Sequence, residues 1–211
     1  MGAVADCFEC PPGKYCLGAK ALPDGDCDAG NFCPKGQSAK AYAAAYKFGD
    51  TVGGKCPAGH YCLAGSLSPV PCPIGTYTDT EGLTLLASCS ACVGGYYCDE
   101  EGLTLAEIKA RDKVCDPGYY CTASATKPHP TDGVTGGLCT KGNYCPSNSS
   151  TETPCAKGMY ETRGGSDACQ ECPAGYYCEK LGTDSPVKCQ TGYCPERSII
   201  PTLCPSGRYS N

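Results

Sequence analysis

Cysteine accounts for 22 of the 211 residues, and three chemistries compete for it: metal ligation, nucleophilic catalysis and disulfide cross-linking. Cys7-x2-Cys10, Cys89-x2-Cys92 and Cys169-x2-Cys172 have the two-residue gap of a zinc knuckle. These pairs recur at steps of 82 and 80 residues, however, and only two histidines, His60 and His129, are available to complete a site. The remaining cysteines follow another rhythm. Disulfides are therefore expected, and a zinc site is not. Every cysteine fits the scaffold pattern, so none is spare as a nucleophile, and no Ser, Cys or carboxylate stands in an evident relation to either histidine. Catalysis and cofactor binding are not expected. The acidic clusters Asp24-Gly-Asp26-Cys-Asp28 and Asp99-Glu100-Glu101 match no dedicated calcium loop and read as solvated turns.

The residues that do carry chemistry are placed by one short phrase, Cys-Pro-x-Gly-x-Tyr-Cys. It is complete at Cys10–Cys16, Cys56–Cys62 and Cys172–Cys178. Looser copies run from Cys27 to Cys33 (Phe32 replaces Tyr), Cys92 to Cys98, Cys115 to Cys121 and Cys139 to Cys145, and a copy one residue short runs from Cys189 to Cys194. Three open copies, starting at Cys72, Cys155 and Cys204, lack the second cysteine. The phrase predicts a type I β-turn with Pro second and Gly fourth. The aromatic is expected to cover the adjacent sulfur, and the cysteines to tie each turn to its neighbours.

Composition sets the class. Disulfides persist in oxidising compartments, so an even count of 22 cysteines points to a secreted or cell-surface protein. With no Trp, three Phe, 28 Gly and 18 Pro, the chain has little with which to build one large apolar core. The fold predicted is a set of small disulfide-rich repeats: an elongated array of short β-ribbons and turns, sparse in regular secondary structure, with one or two short helical inserts. The net charge of −5 argues against nucleic acid as a partner, and no run is long and apolar enough to span a bilayer. Met1–Asp6 lacks the charged start and apolar stretch of a signal peptide, which suggests a mature piece or a fragment.

The phrases fall into a longer period. Residues 1–88 form a first repeat copy, 89–168 a second with the same order of eight cysteines, and 169–211 a truncated third. Between phrases, the Ala-rich stretch 38–47 predicts a short helix, and the capping box at Thr104 and Glu107 predicts another ending near Lys113. Asn148-Ser-Ser150 is an N-glycosylation sequon on a polar loop, and Ser149, Ser150 and Thr151 suit O-linked sugars. Asn31-Phe-Cys33 and Asn143-Tyr-Cys145 match only the rare Cys form of the sequon.

The run Cys72-Pro-Ile-Gly-Thr-Tyr-Thr…Gly82…Cys89-Ser-Ala-Cys92-x5-Cys98, repeated from Cys155 to Cys178, resembles the ephrin-receptor-like cysteine-rich repeat, a relative of tumour-necrosis-factor-receptor modules. The resemblance implies that an open phrase bonds to the next CxxC, giving Cys72–Cys89 and Cys155–Cys169. It also implies that Cys7 and Cys204 pair outside this stretch or with neighbouring chains, as though both ends cut a longer array. A serial alternative joins Cys16–Cys27, Cys33–Cys56 and Cys62–Cys72.

Function is expected to be structural: an extracellular stalk, coat or fibre component, glycosylated, with further copies of itself or matrix and surface proteins as partners. The alternative is a receptor ectodomain that binds a protein ligand.

Overall fold

The computed structural model describes residues 8–18, 20–41 and 53–208. Its regular structure is a succession of two-stranded antiparallel ribbons. By their contacts the chain divides into two compact units, Met1–Ala91 with Cys98–Arg111, and Cys92–Tyr97 with Asp112–Asn211. The fold is that of a small disulfide-rich repeat protein.

Among the described residues the first unit carries four ribbons: β1 (Lys14–Tyr15) with β2 (Gly25–Asp26), β3 (Asn31–Phe32) with β4 (Gly54–Lys55), β5 (His60–Tyr61) with β6 (Val70–Pro71), and β7 (Thr76–Tyr77) with β8 (Ser90–Ala91). The second carries β9 (Tyr119–Cys121) with β10 (Gly136–Leu138), β11 (Asn143–Tyr144) with β12 (Thr153–Pro154), β13 (Met159–Tyr160) with β14 (Gln170–Glu171), and β15 (Tyr176–Tyr177) with β16 (Val187–Lys188). In each ribbon the first strand is the end of a phrase. The second strand is the two residues (three in β10) just before the next phrase, so Tyr15 faces Gly25 and Tyr177 faces Val187.

The turn that opens each ribbon is offset by one residue from the expected one. Lys14 N donates to Pro11 O (3.2 Å), and His60 N donates to Pro57 O (3.2 Å). The turn therefore starts at the second phrase residue, and Gly is third, not fourth. All eleven phrase glycines have φ between 73° and 84°. That is the position and conformation a type II turn reserves for glycine, and it overrides the type I expectation.

Ribbons of two or three residues per strand are marginal alone. They are held by a backbone junction that recurs between consecutive phrases. In the first unit, Gly13 N donates to Cys33 O (2.7 Å), Cys16 N to Gln37 O (3.0 Å) and Gly36 N to Cys10 O (2.8 Å). In the second, Gly118 N donates to Cys145 O (2.8 Å), Cys121 N to Ser149 O (2.9 Å) and Asn148 N to Cys115 O (3.0 Å). The loop donor, at Gly36 or Asn148, lies three or four residues beyond the phrase and also has positive φ. Glycine holds most of these loop positions, while Ser124, Asn148 and Arg197 hold the others at φ 62°, 66° and 62°.

Sulfur takes the place of an apolar core. Cys27, Cys33, Cys56, Cys62, Cys115, Cys121, Cys172 and Cys178 are fully buried, whereas few other apolar side chains are. Phe32 packs on Cys56 and Cys62, and Tyr97 on Cys115 and Cys121. In these two clusters the sixth phrase residue covers the following phrase's disulfide, and Tyr119 packs on the disulfide of its own phrase. Ile108, also fully buried, anchors α1 (Leu105–Ala110). The Thr104–Glu107 capping box opens this helix. It stops before Lys113 because Asp112 turns to φ 51°. The helix expected over 38–47 lies outside the described residues for most of its length.

The positive-φ glycines are not equivalent. A Cβ at Gly59 would collide with the carbonyl oxygen of Gly102, whereas a Cβ at Gly175 meets nothing within 4 Å. Gly175→Ala is expected to cost about 1–2 kcal/mol, the left-handed penalty alone. Gly59→Ala should cost more and should open the hydrogen bonds around it. Urea denaturation with hydrogen exchange measures both, and equal losses would contradict this reading.

Candidate functional site

Among the described residues, twenty cysteines are disulfide-bonded. The closed phrases bond within themselves: Cys10–Cys16, Cys27–Cys33, Cys56–Cys62, Cys115–Cys121, Cys139–Cys145, Cys172–Cys178 and Cys189–Cys194. Cys92 and Cys98 are bonded too. Two bonds enclose longer loops, Cys72–Cys89 and Cys155–Cys169. The serial pairing does not occur, nor do closed-phrase cysteines tie a turn to its neighbours. The turn brings the two ends of its own phrase to a Cα separation of 5.8 Å at Cys10 and Cys16, the distance a disulfide spans. Backbone hydrogen bonds make the links between phrases. Cys204 is free, and Cys7 lies outside the described residues.

The open phrases show what replaces a missing half-cystine. Thr78 and Glu161 occupy that position and are buried, at 3% and 2% exposure. They keep its backbone role: Gly59 N donates to Thr78 O (2.9 Å) and Gly142 N to Glu161 O (2.8 Å). Their side chains turn into the loop that the long disulfide encloses. Thr78 Oγ1 accepts from Thr80 N (3.1 Å). Glu161 Oε1 accepts from Arg163 N (2.9 Å), and Oε2 from Gln170 Nε2 (3.4 Å). Burial pushes the Glu161 pKa up. The hydrogen bonds from Arg163 N, Ser166 and Gln170, with the Arg163 charge, outweigh burial and hold the carboxyl below the usual glutamate value. Sequence reading passed over both residues. The signal was available in the spacing, since each stands six residues after its phrase's first cysteine.

The other candidates are dispersed. His60 Nδ1 lies 3.1 Å from Ala58 O, and His129 lies 3.1 Å from Asp116 Oδ2 with its ring edge-on to Tyr119. Asp24 pairs with Lys20, Asp26 with Lys14 and Asp28 with Lys40, so the three carboxylates answer three different lysines. Glu100 pairs with Arg111 at 2.6 Å. Among the described residues no group of three or more His, Cys, Asp or Glu is arranged to hold a metal ion. An open groove of about 530 Å³ runs past Cys10, Cys16, Gly18, Leu22 and Asp24. Asn148 and Ser150 are exposed, Ser149 Oγ donates to Pro146 O (2.5 Å), and Thr151 is exposed.

No protein-family model matches this chain, and no curated protein matches it either. The class is defined by the molecule itself: a disulfide-stapled repeat protein whose many cystines suit an oxidising, extracellular setting. No helix among the described residues is long and apolar enough to cross a membrane.

The buried carboxylate predicts a pH dependence. Glu161 titrates below its unfolded value when folded, so its contribution is complete above about pH 4.5, the ordinary glutamate value, and is lost as pH falls through the folded value. Glu161→Gln should lower the melting temperature at pH 7, and the gap from the parent chain should close on acidification. Calorimetry across pH 7 to 3 checks this, and an offset independent of pH would contradict it.

Proposed function

We propose that the chain is an extracellular structural protein, a component of a stalk, surface coat or fibre with glycosylated loops. Its partners are further copies of itself or matrix and surface proteins. One observation carries this reading. The junction between consecutive phrases consists of backbone hydrogen bonds, so it can be repeated with almost any side chains in the loops. A scaffold of this kind gains length without new chemistry. The resemblance to ephrin-receptor-like repeats supports the extracellular setting.

The disulfides shape the response to tension. Closure of a six-residue separation contributes about 2 kcal/mol, and of the 14- and 17-residue loops about 3 kcal/mol, through lost freedom in the unfolded chain. Because closed phrases bond within themselves, force extends the segments between them and leaves each phrase intact. Phrases then give way one junction at a time, as nearest-neighbour arrays do.

Images of the protein taken from its native surface are expected to show an ordered polymer or coat. A dispersed monomer that binds a soluble protein ligand would favour the receptor reading instead. In single-molecule stretching, reduction should lengthen the extended chain by on the order of 200 Å, the contour held inside the disulfide loops.

A further inference from the structure

We propose that Asn148 carries an N-linked glycan, an inference that rests on the extracellular reading above. Three asparagines head a sequon-like triplet, and the fold separates them. Asn31 and Asn143 lead to Cys33 and Cys145, both fully buried and held in disulfides to Cys27 and Cys139. Neither triplet therefore offers a free thiol in the folded chain. The Asn143 amide is also in use, donating to Thr140 Oγ1 (2.9 Å) and Glu152 Oε2 (2.9 Å). Asn148 is exposed, and the third residue of its triplet, Ser150, is an exposed hydroxyl.

The junction explains why a sugar fits here. Asn148 occupies the loop position that is Gly36, Gly65, Gly165 and Gly182 elsewhere, with the same left-handed backbone, φ 66°. What the fold requires of that position is its N–H, given to Cys115 O, and its compact left-handed turn. Asparagine accepts that conformation more readily than other side-chain-bearing residues. Its carboxamide oxygen lies over Gly95, where a Cβ would collide with it. Since glycine serves at the sister positions, the fold does not depend on the Asn148 side chain, which is free for modification. In the transfer, Nδ2 forms a bond to the anomeric carbon of an oligosaccharide carried on a lipid diphosphate. The carbon–oxygen bond to the diphosphate breaks, the lipid diphosphate leaves, and the amide gives up one proton to base.

The test uses the full chain secreted from eukaryotic cells. The intact mass is expected to fall in a single step on treatment with peptide-N-glycosidase, with Asn148 converted to Asp in the peptide map. Asn148→Gly, which keeps the left-handed turn, and Ser150→Ala, which keeps the asparagine, should each abolish the step, while Ser149→Ala should retain it. A secreted, fully oxidised chain of unmodified mass overturns the glycan and leaves the extracellular reading standing, as does a mass step that survives Ser150→Ala. A chain that emerges with its cysteines as thiols overturns both.

Discussion

At most phrases there is room for hydrogen and for nothing larger between the turn glycine and the loop two phrases later. A Cβ at Gly30 would lie 2.6 Å from the carbonyl oxygen of Gly82, and one at Gly158 would lie 2.5 Å from that of Arg197. Gly13, Gly118 and Gly142 stand in the same relation to Gly65, Gly165 and Gly182. At most junctions three backbone hydrogen bonds join one phrase to the next, and the left-handed φ of the turn glycine and of the loop residue aims the N–H groups.

Sulfur then does what leucine and valine do in larger domains. A small module cannot bury enough apolar surface to hold itself, and here the buried side chains are largely cystine, edged by aromatics such as Phe32, Tyr97 and Tyr119. Where a phrase gives up its second cysteine, the fold keeps that position buried and fills it with a residue whose side chain satisfies the enlarged loop. Thr78 does this with one backbone contact. Glu161 does it with a carboxylate whose partners offset the cost of burial. Closed and open phrases are thus two solutions to one packing problem. One staples a turn to itself, and the other staples a loop.

Much of this was legible in the residues. The phrase, its eleven copies and the small-ribbon architecture follow from the Cys, Gly and Tyr positions, because each is demanded by local geometry. The turn register was misplaced by one residue, since Pro at the second position suggests a type I turn until the glycine's positive φ is known. The loop partner of the junction escaped notice because Gly, Ser, Asn and Arg all fill it, at an offset of three or four residues. The partners of the closed-phrase cysteines were open for a different reason. Spacing alone does not say whether a turn folds its own ends together or reaches for the next turn, and the Cα separations near 6 Å within each phrase decide it.

The central claim, that disulfides close phrases while backbone bonds join them, is tested most directly by mapping the unreduced protein. Trypsin cuts after Lys14, Lys20 and Lys35, separating Cys10, Cys16 and the pair Cys27 and Cys33 onto three peptides. The peptide of residues 15–20 is expected to stay bonded to that of residues 1–14, with the peptide of residues 21–35 released on its own. Recovery of 15–20 bonded to 21–35 would contradict it.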